Sequence, residues 1–465
     1  MADNFISRAL DGFIGRLASA MMDQTRKQFI ESIVERRAYR QGWQRESLKV
    51  KANQSNDNVT LNLIGKAVDQ SLSMLFGESL AVDLGGVVDD ADPQLWLNNA
   101  WKANRGEVLL KRLGMMGADA GICYAKIIPN AKQLMGVDYP RLIALDPLYM
   151  EVYTEPSDYE KVMRYVYEYA TEDPETQKEV KYKQVFTLED GSWVIRDYQT
   201  EPGTSKYELI NEENYTAANG VDFSPVLNWQ NLPSVAGIEG KPDVTGDIIQ
   251  LQDKINYAAS NINKIIRLNA HPRWYATGFG SGQLATINWG PEEMLKLPND
   301  SQVGSAEMSS ELEGSREWVK WLTQSLYSLM RSVDVATVKD KLGQLTNFGV
   351  RMLYQDALAK NNDKRDLYGE AIEELSRRML KIGGVYSESL EPIRVVWPEP
   401  LPSNEKEGIE AIAKDIDYGL VSAQTASGKR GYDWSVEQER IADEKAAEGN
   451  VGDEILRLFE TGRGA

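Results

Sequence analysis

A chain of 465 residues can bury one large core or several smaller ones, and its 11 Trp, 21 Tyr and ordinary apolar content exclude a disordered polymer. A formal net charge of −18 argues against a protein that grips nucleic acid through phosphates over most of its surface. The single cysteine, Cys123, rules out an intramolecular disulfide, and the single histidine, His271, all but closes Ser-His-Asp, Cys-His and multi-histidine metal schemes.

The N-terminus, "MADNFISRALDGFIGRLASAMM", has no basic stretch followed by a continuous apolar run, so no secretory signal is expected. Phe5, Leu10, Ile14, Leu17 and Met21 share one helical face, which suits a helix docked on the protein body better than one lying on a membrane. No run approaches the roughly 20 apolar residues that span a bilayer. Residues 14–50 read as a helix rich in charge. A second amphipathic helix follows, with Leu61, Ile64, Val68, Leu72 and Leu75 on its buried face and Gly77 at its end, and then a short strand, "SLAVDL". A third helical block runs to Gly117–Gly121.

From 121 to 230 the rhythm changes to short β-like runs, among them "ICYAKII", "RLIALDP", "MRYVYEYAT" and "EVKYKQVFTLEDGSWVIRDYQ". "LEDGSW" is a hairpin turn. Cys123 lies in one of these runs and reads as a packed thiol, not a nucleophile. The segment predicts an α+β region with an antiparallel sheet.

"VTGDIIQLQDKINYAASNINKIIRLNAHP" then gives a helix over about 243–270. Ile248, Leu251, Ile255, Ala258, Ile262 and Ile265 form a narrow apolar seam, and the remaining surface carries Asp247, Gln250, Asp253, Lys254, Asn256, Asn261, Asn263, Lys264 and Arg267. His271 follows as a candidate C-terminal cap. A small β-containing insert of about 40 residues comes next, with Trp274, Tyr275 and Trp289, and with "GFGSGQ" as a hairpin tip. Helix returns with Leu312, Val319, Leu322, Leu326, Leu329 and Val333 at heptad spacing. These two seams can face sister copies, or close on each other as a coiled hairpin within one chain.

A loop with Lys339 and Lys341 precedes a very long helical stretch, "FGVRMLYQDALAKNNDKRDLYGEAIEELSRRMLKIGG". Its apolar phase slips at "NNDKRD", where a bend is expected, and Gly383–Gly384 stop it. "PIRVVWPEPLP" reads as an edge strand broken by prolines. Residues 404 to about 445 are helical again, with "GLVSAQT" as a turn and N-cap.

Enzymatic motifs are missing. "GIEGKPD" has Pro242 where a P-loop needs Ser or Thr. Carboxylates are abundant, but no clustered D-x-D or E-x-x-E stands at an apolar strand end. No enzyme, no cofactor and no metal site are expected.

Five stretches, in order, carry a resemblance: "NLIGKAVDQSLSMLFGESLAV", "GIEGKPDVTGDIIQLQDKINYAASNINKII", "HPRWYATG", the long helix after Lys341, and "GLVSAQTA". Together they resemble the portal proteins of tailed bacteriophages, the siphophage-type head-to-tail connector family. That resemblance implies an α+β portal fold. The wing is placed at 1–242, the first stem helix at 243–270, a small α/β clip at 271–309 and the second stem helix at 310–334. A tunnel loop at 335–346, a spine helix with a wing return strand at 347–403, and a helical crown and tail at 404–465 complete it.

The resemblance further implies a homo-oligomeric ring of about 12 copies at one capsid vertex of the virion, assembled from subunits made in the host cytoplasm. Its implied partners are the terminase large subunit, a head–tail adaptor, the major capsid and scaffolding proteins, and double-stranded DNA passing through without sequence specificity. On this reading the stem seams (Ile248, Leu251, Ile255, Ile262, Ile265; Leu312, Val319, Leu322, Leu326, Leu329) form the subunit interface. Lys339, Lys341 and Gln344 face the DNA, and Trp274, Tyr275 and Trp289 contact a partner or a neighbouring copy. The alternatives are a soluble Asp/Glu metal-dependent hydrolase and a coiled-coil scaffold or adaptor.

Overall fold

The computed structural model describes residues 24–50, 55–77, 80–85, 92–129, 139–235, 237–270, 273–278, 302–306, 312–335, 347–401, 412–429, 437–438 and 440–442. Residues 1–398 form one compact unit and 399–465 a second.

Helix α1 (Gln24–Arg40) ends before the charged run that predicts it does; residues 14–23 of that run lie outside the described residues. Gly42, at φ +84°, turns the chain, and the Trp43 N–H reaches back to Ala38 O at 2.8 Å. Residues 44–48 therefore leave the helix. Arg37 and Arg40 fix α1 to two carboxylates. Arg40 grips the fully buried Asp119 at 2.7 and 2.8 Å, and Arg37 grips Asp146 at 2.8 and 3.0 Å. Helix α2 (Leu63–Phe76) begins at Asn62, whose Oδ1 accepts the Gly65 N–H at 3.0 Å, and ends at Gly77. Ile64, Val68, Leu72 and Leu75 are buried as their spacing requires, while Leu61 is exposed.

Strand β1 (Ala81–Leu84) precedes α3 (Asp92–Ala103) and α4 (Gly106–Ala120). The third helical block is thus split, at Asn104–Arg105, where Arg105 takes φ +51°. The Asn104 side chain donates to Pro140 O at 2.9 Å and accepts the Leu142 N–H at 2.7 Å, a reason for the break that no local propensity carries.

Strands β2 (Ile122–Ile128) and β3 (Arg141–Leu145) follow. A meander comes next: β4 (Met150–Glu155), β5 (Asp158–Glu172), β6 (Glu179–Glu189), β7 (Ser192–Thr200) and β8 (Tyr207–Asn214). After the short α5 (Tyr215–Asn219), β9 (Val226–Gln230) pairs antiparallel with β2, giving the order β3-β2-β9. The meander is a five-stranded antiparallel sheet in sequence order. Its β6–β7 turn places Asp190 and Gly191 both at positive φ, the geometry that Asp-Gly supplies at little strain. Phe186, Trp193 and Ile195 of the meander pack with Ile30 and Ile33 of α1 and Ile122 and Tyr124 of β2.

Two long helices then form a hairpin, α6 (Gly246–Ala270) and α7 (Leu312–Leu329). Between them β10 (Arg273–Thr277) pairs antiparallel with β11 (Gln302–Ala306). Helices α8 (Asn347–Leu353) and α9 (Gln355–Ile382) follow, then β12 (Ile393–Val396), which pairs antiparallel with β1. Helix α9 runs unbroken through "NNDKRD", and the helical path breaks at Tyr354. The apolar phase slips because Lys360, Asn361 and Lys364 occupy core-facing positions and are buried, two of them against Asp243. Buried charge interrupts the apolar pattern.

The principal core joins α2, α4, α6, α7 and α9. Cys123 lies in it, its Sγ within 3.2 Å of Tyr368 Oη. A methyl on Gly117 would meet both, 2.8 Å from Cys123 Sγ and closer still to Tyr368 Oη, so α4 approaches α9 only with glycine there. In the second unit, α10 (Ala423–Lys429) is capped by Ser422, whose Oγ accepts the Thr425 N–H at 3.2 Å, within the "GLVSAQT" expected to supply a turn and cap.

Candidate assembly surface

The α6–α7 hairpin divides its residues among three surfaces. On the inner surface, Ile248, Ile255, Leu322 and Leu326 are buried in the chain's own core, together with Leu72 of α2 and Ile372 and Leu375 of α9. These four, expected from sequence to meet sister copies, are nearly covered by packing within the chain. Of the two arrangements open to the seams, the described contacts are those of an intrachain hairpin. Leu251, Ile262, Ile265, Leu312 and Val319 are half-buried, and Leu329 is exposed.

On its second surface α6 carries a polar row, Gln252, Asn256, Ser260, Asn263 and Arg267, spaced four, four, three and four residues apart. Helical geometry puts such a series on one face. It binds the extended segment 57–61 and Gln44 along its length. Gln252 Nε2 donates to Leu61 O at 2.7 Å, and Asn256 Oδ1 accepts the Leu61 N–H at 3.0 Å while its Nδ2 donates to Gln44 Oε1 at 2.6 Å. Ser260 Oγ accepts the Val59 N–H at 2.9 Å, and Asn263 Nδ2 donates to Asp57 O at 3.1 Å. Arg267 closes the row on the Asp57 carboxylate at 2.6 and 2.7 Å. That contact lowers the carboxyl's proton affinity and raises that of the guanidinium. Tyr39 donates to Asp253 at 2.6 Å, and burial followed by this hydrogen bond pushes its phenol well above the ordinary range.

The amide-rich face of this helix is therefore used within the chain. Gln252 and Ser260 carry part of this role and escape a sequence reading based on apolar spacing. The one available signal is the regular interval of short polar side chains along an otherwise amphipathic helix.

The third surface faces outward on α7. Trp318 and Trp321 stack with ring centroids 5.0 Å apart and planes 15° from parallel. They are 53% and 55% exposed, and Leu329 is similarly exposed along the same stripe. Glu313, Arg316, Glu317 and Lys320 surround them as exposed charges of both signs. On α6, Tyr257 and Ile266 are also exposed. Two large aromatic rings pre-stacked at half exposure need little further ordering to bind. Such residues dominate interface energetics when a partner desolvates them.

At the far end of the hairpin, the backbones of Trp274 and Tyr275 pair with Ser305 and Gly304. Trp289, His271, Lys339, Lys341 and Gln344 lie outside the described residues. Among the described residues no group of three or more His, Cys, Asp or Glu is disposed to hold a metal ion. No described helix is long and apolar enough to cross a membrane.

Residues 26–450 match a family model described as phage portal protein, SPP1 Gp6-like. No curated protein matches the chain.

Proposed function

The chain belongs to the SPP1 Gp6-like phage portal proteins, and from that premise we propose that it is one subunit of a closed ring of about 12 copies at a single capsid vertex. Through the opening of that ring the terminase drives DNA inward during packaging, and the genome later leaves toward the tail by the same route. The terminase large subunit, a head–tail adaptor, and the major capsid and scaffolding proteins are its partners. No catalytic role is proposed.

The observation that carries this reading is the outward face of α7. A hairpin whose inner seam is filled by its own chain, and whose polar row is occupied by its own residues 57–61, still presents stacked Trp318 and Trp321 to solvent. In a cyclic ring the contact is heterologous, one surface of each copy meeting a different surface of the next. The α7 aromatics form one side of it, and the exposed Tyr257 of α6 the other. The half-buried Leu251, Ile262, Ile265, Leu312 and Val319 then complete the apolar strip at the margin.

Net charge supports the conduit. A wall that must let a duplex slide should make few phosphate contacts, because each neutralising Lys or Arg adds salt-dependent affinity and drag. A net charge of −18 meets that need, and Lys339, Lys341 and Gln344 are proposed as the sparse contacts with DNA. Trp274, Tyr275 and Trp289 are proposed to serve the contact with a neighbouring copy or with the docking partner.

Mass photometry with negative-stain imaging tests the reading. The purified chain should give a closed particle of about a dozen subunits with a central opening. A monomer at every salt concentration, or a rod of a few chains without an opening, overturns it.

A further inference from the structure

Asp243 lies three residues before α6 begins, and its N–H is held by Ala118 O of α4 at 3.0 Å. Its carboxylate meets two lysines of α9, Lys360 Nζ at Oδ1 (2.5 Å) and Lys364 Nζ at Oδ2 (2.6 Å). All three side chains are at least nine-tenths buried. Lys360 makes a second contact, donating to Met330 O at 3.0 Å just past the last residue of α7. One ammonium thus ties both ends of the hairpin to α9: the start of α6 through Asp243 and the end of α7 through Met330. Asn231 Nδ2 lies 3.3 Å from Asp243 Oδ2, and its Oδ1 accepts the Tyr368 hydroxyl at 2.9 Å.

The charges do not balance. Two buried cations face one buried anion, and the described ion pairs bring no second carboxylate to these lysines. Burial alone disfavours a charged lysine, and for Lys360 it outweighs the attraction of Asp243. If the hairpin base needed only rigidity, Asp243 with Lys360 would supply it, and an apolar side chain at 364 would fill the same volume at lower cost. Short ionic contacts of this kind are either made or broken.

We propose that Asp243, Lys360 and Lys364 form a releasable latch between the hairpin and α9, with Lys364 as the excess charge that keeps the closed state from being too stable. When the latch is closed, the ends of α6 and α7 are fixed on α9. When it opens, the ends of α6 and α7 lose this ionic tie to α9, while the apolar seam and the contacts with 57–61 remain. This inference concerns the mechanics of the chain itself and does not depend on the ring.

The test uses the full chain and two single substitutions, read by thermal unfolding and by amide hydrogen exchange. Lys364→Met leaves a neutral Asp243–Lys360 pair. It should raise the thermal midpoint by about 2 °C or more and slow exchange at both 248–255 and 326–330. Lys360→Met also leaves a neutral pair but removes the bond to Met330 O, so it should speed exchange at 326–330 by roughly tenfold or more and leave 248–255 nearly unchanged. A Lys364→Met chain that melts lower, or exchanges faster at the hairpin base, overturns the latch. So does a Lys360→Met chain that loses protection equally on both helices. If Lys360→Met does not fold, the direction of the Lys364→Met shift alone decides.

Discussion

Arg267 and Asp57 form a two-pronged ion pair, Nε to Oδ1 at 2.6 Å and Nη2 to Oδ2 at 2.7 Å, across 210 residues of sequence. The pair is the outer end of a row of polar contacts by which α6 holds the extended segment 57–61. Segment and helix stabilise each other. Extended backbone without a sheet partner needs acceptors and donors, and a long helix projecting from a core needs a reason to keep a polar face dry. The pairing also brings the chain that leads into α2 along the hairpin, so that the hairpin and the body share one hydrogen-bonded seam.

Asn256 is the centre of that seam. It is buried and bonds to Gln44, to the Leu61 N–H and to Gln252. Asn256→Ala strands at least two buried partners, and the expected loss is about 2–3 kcal/mol in urea unfolding. Amide exchange at residues 59–61 should rise far more than exchange in β5–β7. Unchanged protection at Leu61 would show that the row is incidental.

Ile255 and Trp321 separate folding from assembly. Ile255 is fully buried inside the hairpin, so Ile255→Asp places an unpaired carboxylate in the core and should cost about 3–5 kcal/mol, seen as a lowered midpoint of the isolated chain. Trp321→Asp acts on a half-exposed surface and should alter chain stability by less than about 0.5 kcal/mol. It should nevertheless shift mass photometry from ring to monomer. If the Trp321 variant assembles normally, the outer face of α7 is not the subunit contact.

Much of the architecture is legible in the residues because local rules and burial agree. "ICYAKII" is β2 from end to end, the Asp-Gly turn sits between β6 and β7, and Gly77 and Gly383 mark helix ends. The readings that fail do so where a distant residue decides. The break at Asn104 depends on Pro140 and Leu142, the burial of Lys360 and Lys364 on α9 depends on Asp243, and the end of α1 serves contacts made by Gln44 with Asn256. The seams are visible as periodicity, but periodicity does not say whether the covering surface belongs to the same chain. It takes the burial of Leu322 and Leu326 beside α9, against the exposure of Trp318 and Trp321, to tell the two faces of α7 apart.

Cys123 offers a label-based check of the core. It is fully buried, with its sulfur near Leu113 O and Tyr368 Oη, and burial pushes its thiol up to about 12. Because thiolate is the reactive form, a water-soluble disulfide reagent at neutral pH should modify the folded chain at least about a hundredfold more slowly than the chain in urea. Labelling at similar rates in both would mean that α4, β2 and α9 do not close over this site.

Glu391 contributes to the acid side of stability. Arg377 donates to its Oε1 at 2.7 Å and lies 3.3 Å from its Oε2, and the Ile393 N–H adds a bond at 3.1 Å where β12 begins. These donors, the Arg377 guanidinium first, hold its carboxyl at about 2 against an ordinary value of 4.5. A carboxyl whose folded value is depressed stabilises the fold above its unfolded value, and that stabilisation is lost as pH falls through the folded one. The window is therefore from about 4.5 down to about 2. Glu391→Gln removes the ionisation but keeps the shape, so its midpoint should lie below that of the unaltered chain near neutral pH, and the two curves should converge on acidification through the window. Since β12 pairs with β1, exchange at 82–84 should report the same convergence locally. Curves that stay parallel from neutral pH down to about 2 would place the acid sensitivity in some other carboxylate.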